Sequence, residues 1–399
     1  MKLIILLFCI CCLISYSCSE NKQTDNADLT VLDLSKVYPE VKMDIHEIAD
    51  VEYIPLETTD NSLLFRAAYY SLSDKYIVTE DCGTILFFDR KSGKYLWRFN
   101  RQGQGKEEYN GSIHLIVDFP KEECLIYDLH RCKIFAYDFH GKFIRSFLLK
   151  GIIKEFAMLA LYNYDQDYLI GYNHYSTLNL EMKDTRPYYL ISKRDGEVIP
   201  LNLEIKDRIN SCLHKEIITS DDGKAIFVSS DIIGEMTPML KNGNEMLVAD
   251  YALDTLYCLK DKKIRPLAVQ TPTVRQGNIP LIISPDIYTD TYLSFYAIKF
   301  EYIPSDPKRP LKEAPYLFWN RKTGEIFNYN LYDSNILVDK TCQPTSFNQN
   351  LDRNYTVGFL RAEFLVEQYE VDKLRGKLKE VAQNLKEDDN WVMVLYKFK

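Results

Sequence analysis

Short apolar runs alternate with polar turns along most of the chain. A run of four to six β-branched or aromatic residues leads into a turn rich in Asp, Ser, Gly and Lys, and a second such run follows. Runs of this length bounded by turn residues are typical of β-strands. The pattern occurs over Ile85–Phe99, Ile134–Phe147, Tyr188–Ile199, Leu256–Pro266 and Tyr316–Phe327. It predicts an all-β fold built from repeated antiparallel units.

The spacing of the turns predicts how many units there are. Gly93, Gly141 and Gly196 lie 48 and 55 residues apart, and weaker or later equivalents follow near Lys262 and at Gly324. The mean spacing is about 58 residues, longer than the roughly 40 to 50 that a four-stranded propeller blade needs. Residues 30–399 therefore hold about six such units. We expect a single six-bladed β-propeller with long loops.

The C-terminal part departs from the strand pattern. Apolar residues recur at intervals of three and four between Ala362 and Leu385, which predicts one amphipathic helix. The strand Trp391–Phe398 follows, and we expect it to pair with the strand that begins at Val51. Strands from both termini would then close the ring and remove two free edges. Pro55 has no N–H for the ladder, so the Val51 strand belongs at a sheet edge.

The N-terminus predicts export. Lys2 precedes an apolar stretch of 15 residues, Leu3–Ser17, which is short for a membrane span and has the length of a signal sequence. Residues 1–17 are therefore interpreted as a signal peptide. Ser17 followed by Cys18 resembles a bacterial lipobox, which implies cleavage before Cys18 and a lipid on its sulfur. The alternative is ordinary cleavage with Cys18 as a bystander. Residues 18–29 are polar and form the expected flexible tether.

Three segments of the chain resemble one known family. They are Val51–Thr59, Arg101–Gly105 with Glu108 and Tyr109 after it, and the strand region from Asp389. These segments are similar to the Bacteroidales-type six-bladed β-propeller lipoproteins, whose blades look like NHL repeats. The resemblance covers nearly all of the mature chain. It implies an exported propeller that is lipid-anchored to the outer membrane, with no particular reaction.

The composition of the chain restricts the classes of partner that it could bind. The chain of 399 residues is 46% hydrophobic with a formal net charge of -8, and it has no long basic stripe, so a nucleic-acid partner is not expected. Outside the N-terminal segment it has six cysteines, in no zinc-ligand spacing. Cys124 and Cys132 flank one predicted hairpin, so a disulfide between them stays an open alternative. Buried free thiols are expected for most of the six.

One loop offers candidate ligand contacts. Arg101, Gln102 and Tyr109 would be ligand-binding residues if their loop faces the propeller axis. The glycines Gly103 and Gly105 suggest a phosphate cradle, but no helix follows them as a dinucleotide site requires. The simpler interpretation is a connection between blades that needs a positive φ at Gly103 or Gly105.

Catalytic chemistry is not assigned to any residue. Asp89, Asp138 and Asp195 recur just before turns, which indicates capping of the local backbone. The histidines have no ligand spacing, and a metal site from His114, His130 and His174 would require chance convergence in space. We therefore expect no metal, no cofactor and no catalytic residues.

The predicted function follows from the fold class. We expect a monomeric, non-catalytic binding or scaffold protein at the bacterial envelope, whose partner is a glycan, a peptide or an envelope protein, besides the lipid bilayer at Cys18. One alternative is a polysaccharide-acting enzyme, a glycosidase or lyase, with acidic residues at the axis. Another is a structural partner in an envelope complex that uses the Ala362–Leu385 helix.

Overall fold

The computed structural model describes residues 29–65, 69–110, 113–150, 159–173, 185–209, 212–219, 225–232, 238–306, 309–338 and 353–399. The predicted signal peptide and Cys18 lie outside these residues. The N-terminal segment comprises β1 (Thr30–Asp33), β2 (Glu40–Asp44), α1 (Ile45–Ile48) and β3 (Ala49–Pro55).

Three blades follow, each with four antiparallel strands in chain order. Blade 1 is β4 (Tyr69–Leu72), β5 (Tyr76–Asp81), β6 (Thr84–Asp89) and β7 (Tyr95–Asn100). Blade 2 is β8 (Ile113–Asp118), β9 (Glu123–Asp128), β10 (Lys133–Asp138) and β11 (Phe143–Leu148), with a 3-10 turn at Phe119–Lys121. Blade 3 is β12 (Leu159–Asn163), β13 (Tyr168–Asn173), β14 (Tyr188–Ser192) and β15 (Val198–Pro200).

The second half holds three more blades. A separate hairpin, β16 (Cys212–Thr219) and β17 (Ala225–Ile232), comes first. Blade 4 is β18 (Met239–Asn242), β19 (Glu245–Val248), β20 (Thr255–Lys260) and β21 (Lys263–Thr271). Blade 5 is β22 (Leu281–Tyr288), β23 (Tyr292–Lys299), β24 (Tyr316–Asn320) and β25 (Ile326–Tyr332), with α2 (Arg309–Lys312) between β23 and β24. Blade 6 contains β26 (Tyr355–Leu360), β27 (Val392–Phe398) and β3.

The six-bladed prediction is confirmed. First strands of neighbouring blades contact one another, β4 with β8, β8 with β12, and β18 with β22, so these strands lie toward the centre of the ring. Blades 4 and 5 each gain a fifth strand that the sequence analysis missed. β1 pairs in parallel with β21, and β2 pairs in parallel with β25. The N-terminal segment therefore covers two strand edges that would otherwise be exposed.

Strands from both ends of the chain close the ring, as predicted. β27 pairs antiparallel with β3, from Val392 opposite Pro55 to Phe398 opposite Ala49. Among the described strands, β3 pairs only with β27, which places Pro55 in an edge strand as its missing N–H requires.

The turns that supplied the repeat spacing have the predicted chemistry. The Asp89 carboxylate accepts hydrogen bonds from the backbone N–H groups of Lys91 and Ser92, and Asp138 plays the same role in blade 2. Gly93 has a φ of +70°, and a Cβ there would lie 2.0 Å from the carbonyl oxygen of Pro55. In blade 4, Lys262 takes the positive φ instead of a glycine, which explains why that repeat was weaker in the sequence.

The helix predicted over Ala362–Leu385 is two helices, α3 (Ala362–Glu370) and α4 (Gly376–Ala382). Asp372 and Gly376 both have positive φ, which interrupts the helix between them. Leu374 in this break is fully buried and forms a β-bridge with Ile336. The apolar spacing persists across the break because both helices pack the same cluster against Val392.

Aromatic side chains fill the space between blades. Phe87 and Trp97 stack at 4.9 Å, and Phe139 of the next blade packs on Phe87 at 5.0 Å. The Trp97 indole N–H donates to the carbonyl of Phe139 at 2.7 Å. Many of the aromatic residues in the composition therefore serve blade packing.

Cys124 and Cys132 are both free and buried. Cys124 lies opposite Tyr137 at one end of the β9–β10 hairpin, whereas Cys132 lies at its other end, just before Lys133. This separation explains why the disulfide alternative fails, and it agrees with the expected buried thiols. Cys82 and Cys258 differ from that expectation, since Cys82 is exposed and Cys258 is only half-buried. Cys342 lies outside the described residues.

Candidate functional site

The predicted ligand loop, residues 101–110, is an ordered connection from β7 to β8. Gln102 and Tyr109 form a parallel β-bridge, and the backbone N–H of Gly103 donates to the carbonyl of Tyr109 at 3.0 Å. The Glu108 carboxylate accepts from the backbone N–H of Gly105 at 2.8 Å. The loop therefore has its own internal hydrogen bonds, as a compact loop of fixed shape requires.

Tyr109 lies inside the blade 1–blade 2 junction. Its side chain is fully buried. Its hydroxyl donates to the carbonyl of Gly83 at 2.7 Å and accepts from the backbone N–H of Arg101 at 3.0 Å. Burial raises the pKa of Tyr109 to about 12. Tyr109 thus fixes the loop on the turn of blade 1 and presents no surface to a ligand in this conformation.

The expected positive φ at Gly103 or Gly105 is wrong. Neither residue has a left-handed backbone. Gly103 has a different effect, because a Cβ there would lie 2.0 Å from a carboxylate oxygen of Glu108 and would displace that side chain. The loop uses these glycines to let the Glu108 side chain approach the backbone.

Arg101 and Gln102 remain at the surface of this loop, and both are exposed. The Arg101 Nε donates to the carbonyl of Gly141, in the outer turn of blade 2, at 2.7 Å. The Gln102 backbone N–H donates to the Asn100 side chain at 2.7 Å. Their positions are thus fixed by neighbours, and their role as ligand contacts stays a prediction.

Buried aspartates hold the loops between blades. Asp128, at the end of β9, is fully buried and accepts from the backbone N–H of Asn110 at 2.9 Å. Asp81, at the end of β5, accepts in the same way from Phe65 at 2.8 Å. The loops before blades 1 and 2 are therefore each anchored by a hydrogen bond to a buried aspartate. These hydrogen bonds fix the conformation of both loops.

His114 and His130, two of the three histidines considered for a metal site, have separate surroundings. The His114 Nε2 donates to the carbonyl of Leu161 at 2.8 Å, and burial lowers the pKa of His114. His130 is exposed, and His174 lies outside the described residues. The described residues contain no group of three or more His, Cys, Asp or Glu side chains that would hold a metal ion.

A second cluster, missed by the sequence analysis, joins the N-terminal segment to blade 5. The His46 Nε2 lies 3.0 Å from a carboxylate oxygen of Asp333, and the Tyr53 hydroxyl donates to the other oxygen at 2.5 Å. Asn335 lies 3.0 Å from both His46 and Tyr53. Residues 287 positions apart meet here, which no local pattern would reveal.

Charge pairing in this cluster makes stability depend on pH. The hydrogen bond to Asp333 raises the pKa of His46, so the protonated imidazole is stabilised in the folded protein. Burial opposes ionisation of Asp333, yet the hydrogen bonds from His46 and Tyr53 hold its pKa below the usual value. Asp44 and Lys399 also act on His46, in opposite directions. The stabilisation is present below the unfolded-state pKa of His and is lost as pH rises through the folded one.

His46→Gln is therefore expected to remove a pH-dependent stabilisation. The difference in the free energy of unfolding, wild type minus His46→Gln, should decrease by roughly 0.5 kcal/mol from about pH 6 to about pH 8. The change is small because His46 is partly exposed. Urea unfolding at several pH values measures it. His140→Gln, in an exposed turn, is the matched control. A difference that grows with pH would contradict the assignment.

A third cluster lies between blades 3 and 4. The guanidinium of Arg208 donates to Asp250 at 3.3 Å and to the Tyr172 hydroxyl at 3.0 Å, and all three side chains are buried. Burial raises the pKa of Tyr172 well above its ordinary value. A buried ion pair with its hydrogen-bonding groups satisfied serves to fix the two blades together.

The fold and these loops define a class, the six-bladed β-propellers whose inter-blade loops form a fixed surface. Within it, the chain belongs to the family described as "Domain of unknown function (DUF4934)", whose model matches residues 29–271, more than half of the chain. No curated protein matches the sequence. The described part of the chain holds no helix with the length and apolar character that crossing a bilayer needs.

Solved structures show the same fold. One is a protein of Bacteroides fragilis whose name records an inferred export; it is 14% identical, with a TM-score of 0.59, over 93% of this chain and 99% of that one. Another is a member of the DUF4221 family from Bacteroides vulgatus, 12% identical with a TM-score of 0.50, over 88% of this chain and 97% of that one. At these identities the likeness concerns the fold alone.

Proposed function

We propose that this protein is an exported, lipid-anchored, non-catalytic binding protein of the bacterial envelope. The observation that carries the proposal is the fixed loop at residues 101–110, which exposes Arg101 and Gln102 while Tyr109 and Asp128 hold it from beneath. A preformed surface loses little conformational entropy on binding. A glycan, a peptide or an envelope protein would bind there, to a monomeric propeller.

Export and anchoring are supported from two directions. The N-terminal sequence has the length and composition of a signal peptide and ends at a lipobox-like Cys18. A structural relative with the same fold carries a name that records export. The resemblance to lipoproteins with NHL-like blades agrees with an outer-membrane location on the periplasmic or the cell-surface face. The tether would let the propeller reach its partner without leaving the membrane.

Anchoring has a direct test. Wild-type protein expressed in a bacterium that acylates lipoproteins and grown with labelled palmitate is expected to carry the label, and Cys18→Ser is expected to carry none, because the acyl chains would attach at Cys18. Cys12→Ser, earlier in the signal region, is the matched control and should be labelled as wild type. Labelling of Cys18→Ser would contradict lipid attachment at this residue.

Binding at the loop has its own test. The mature protein is applied to glycan and peptide arrays, and a ligand found there is titrated against Arg101→Ala/Gln102→Ala. We expect affinity to fall at least about tenfold, since two polar contacts would be lost. Lys91→Ala/Lys142→Ala, in the exposed outer turns, is the control and should bind as wild type. Equal affinity of all three proteins would overturn the loop assignment.

A further inference from the structure

A cavity of about 500 Å³ lies at the seam where the two ends of the chain meet. Its walls are the end of β3 with the residues after it, the outer turn of blade 1, and α4. Pro55, Leu56, Val381 and Leu385 supply its apolar surface. Ring closure by both termini, together with the helical insertion, creates this site at the seam.

The walls are held in place by hydrogen bonds. The backbone N–H of Glu57 donates to the carbonyl of Gly93 at 2.9 Å, and the Glu57 carboxylate accepts from the backbone N–H of Tyr95 at 2.8 Å. Asn390 accepts from Leu64 and donates to the carbonyls of Glu57 and Ser62. The cavity is therefore preformed, as ligand sites usually are.

The charged part of the lining is mostly acidic. Glu57, Glu380 and Asp389 contribute three carboxylates, and Lys94 contributes the single ammonium group. Glu57 and Glu380 are exposed residues, and one carboxylate oxygen of Glu57 accepts from Tyr95 while the other is not used by that hydrogen bond. None of the described residues that line the cavity is aromatic, so the stacking platform that sugars favour is missing from it. Acidic groups around an aliphatic floor suit a long cationic side chain.

We propose that this seam cavity binds a short basic segment of a partner protein. The aliphatic part of an arginine or lysine would lie on Pro55, Val381 and Leu385, which are half-buried. Its cationic group would reach the carboxylates of Glu57 and Glu380 by charge-assisted hydrogen bonds. The volume suits one or two such side chains, and the net charge of -8 would favour the approach of a basic partner. This site is separate from the loop at residues 101–110 and is independent of the function proposed for it.

The test uses two fluorescein-labelled pentapeptides, Ala-Arg-Leu-Arg-Ala and Ala-Glu-Leu-Glu-Ala, with the mature protein in fluorescence anisotropy. Wild type is expected to bind the basic peptide, more weakly at higher salt, and not the acidic one. Glu57→Gln/Glu380→Gln should weaken binding about tenfold or more. The amide oxygen at position 57 can still accept from Tyr95, so the fold should persist, which a thermal unfolding curve checks.

Two further comparisons complete the test. Glu363→Gln/Glu370→Gln removes the same charge from exposed positions on α3, outside the cavity, and should leave affinity within about twofold of wild type. Val381→Trp keeps every charge but fills the cavity, and should abolish binding. The proposal is overturned if the basic peptide does not bind wild type, or if folded Val381→Trp binds it with wild-type affinity. It is also overturned if Glu57→Gln/Glu380→Gln and Glu363→Gln/Glu370→Gln bind the basic peptide with the same affinity.

Discussion

Asn390→Ala is expected to lower the free energy of unfolding by about 3 kcal/mol, because three backbone groups, two of them in buried hydrogen bonds, would lose their partner. The Asn390 side chain is 2% exposed. Its oxygen accepts from the backbone N–H of Leu64 at 2.9 Å, and its nitrogen donates to the carbonyls of Glu57 and Ser62 at 3.0 and 2.7 Å. The side-chain amide of Asn390 therefore links the loop after β3 to blade 6 through hydrogen bonds.

Two variants make the Asn390 experiment specific. Asn390→Asp keeps an acceptor for Leu64 but turns a carboxylate toward two carbonyls, so it should destabilise at least as much as alanine. Asn384→Ala removes an exposed amide, just after the end of α4, that donates to the carbonyl of Glu380, and should change stability by less than about 0.5 kcal/mol. Guanidinium unfolding measures all three. Equal stability of Asn390→Ala and Asn384→Ala would contradict the stabilising role given to the hydrogen bonds of Asn390.

Lys193→Met is expected to destabilise the protein by about 3 to 5 kcal/mol, because it leaves a buried carboxylate without its cation. The ammonium of Lys193 lies 2.6 Å from Asp118, with side chains 1% and 2% exposed, and it also donates to the carbonyl of Asp165. The pair joins blade 2 to blade 3. Burial lowers the pKa of Lys193, because it disfavours the charged form of the ammonium group.

The controls for Lys193 use the same chemistry at other positions. Lys193→Met/Asp118→Leu removes both charges and should recover much of the lost stability. Lys150→Met breaks an exposed pair with Asp195 and should cost less than about 1 kcal/mol. Chemical unfolding of wild type, Lys193→Met, Asp118→Leu and the double variant gives the coupling between Lys193 and Asp118. If Lys193→Met loses no more stability than Lys150→Met, the result would contradict a role for the Lys193–Asp118 pair in holding blades 2 and 3 together.

The blades were predictable from sequence because their signals are local. A strand such as β6 carries a run of apolar residues, and Asp89 and Gly93 mark the turn that follows it. Both the strand and its turn lie within about a dozen residues, where propensity and hydrogen bonding act directly.

The strands β1 and β2 were not predictable in the same way. β2 is only five residues long and has no fully buried residue, so the alternation of Val41 and Met43 with charged residues is too short to mark a strand by itself. It exists because the edge of β25 offers hydrogen bonds to a segment far away in the chain. The break between α3 and α4 was hidden for a related reason, since the apolar spacing continues through it while Leu374 is held by Ile336.

The candidate sites likewise divide into one whose residues are close in sequence and others whose residues are far apart. Arg101, Gln102 and Tyr109 were selected as one group, and the structure places them in one loop with Tyr109 beneath the other two. The His46–Asp333 pair and the seam cavity depend on segments about 290 to 330 residues apart, for which periodicity carries no information.

The central claim is that the propeller recognises a ligand without converting it. The most direct measurement is to incubate the mature protein with each glycan or peptide that it binds on an array, and to determine the mass of that ligand by mass spectrometry over time. The account predicts saturable binding and an unchanged mass. A time-dependent appearance of shorter products would contradict it and would identify the protein as an enzyme.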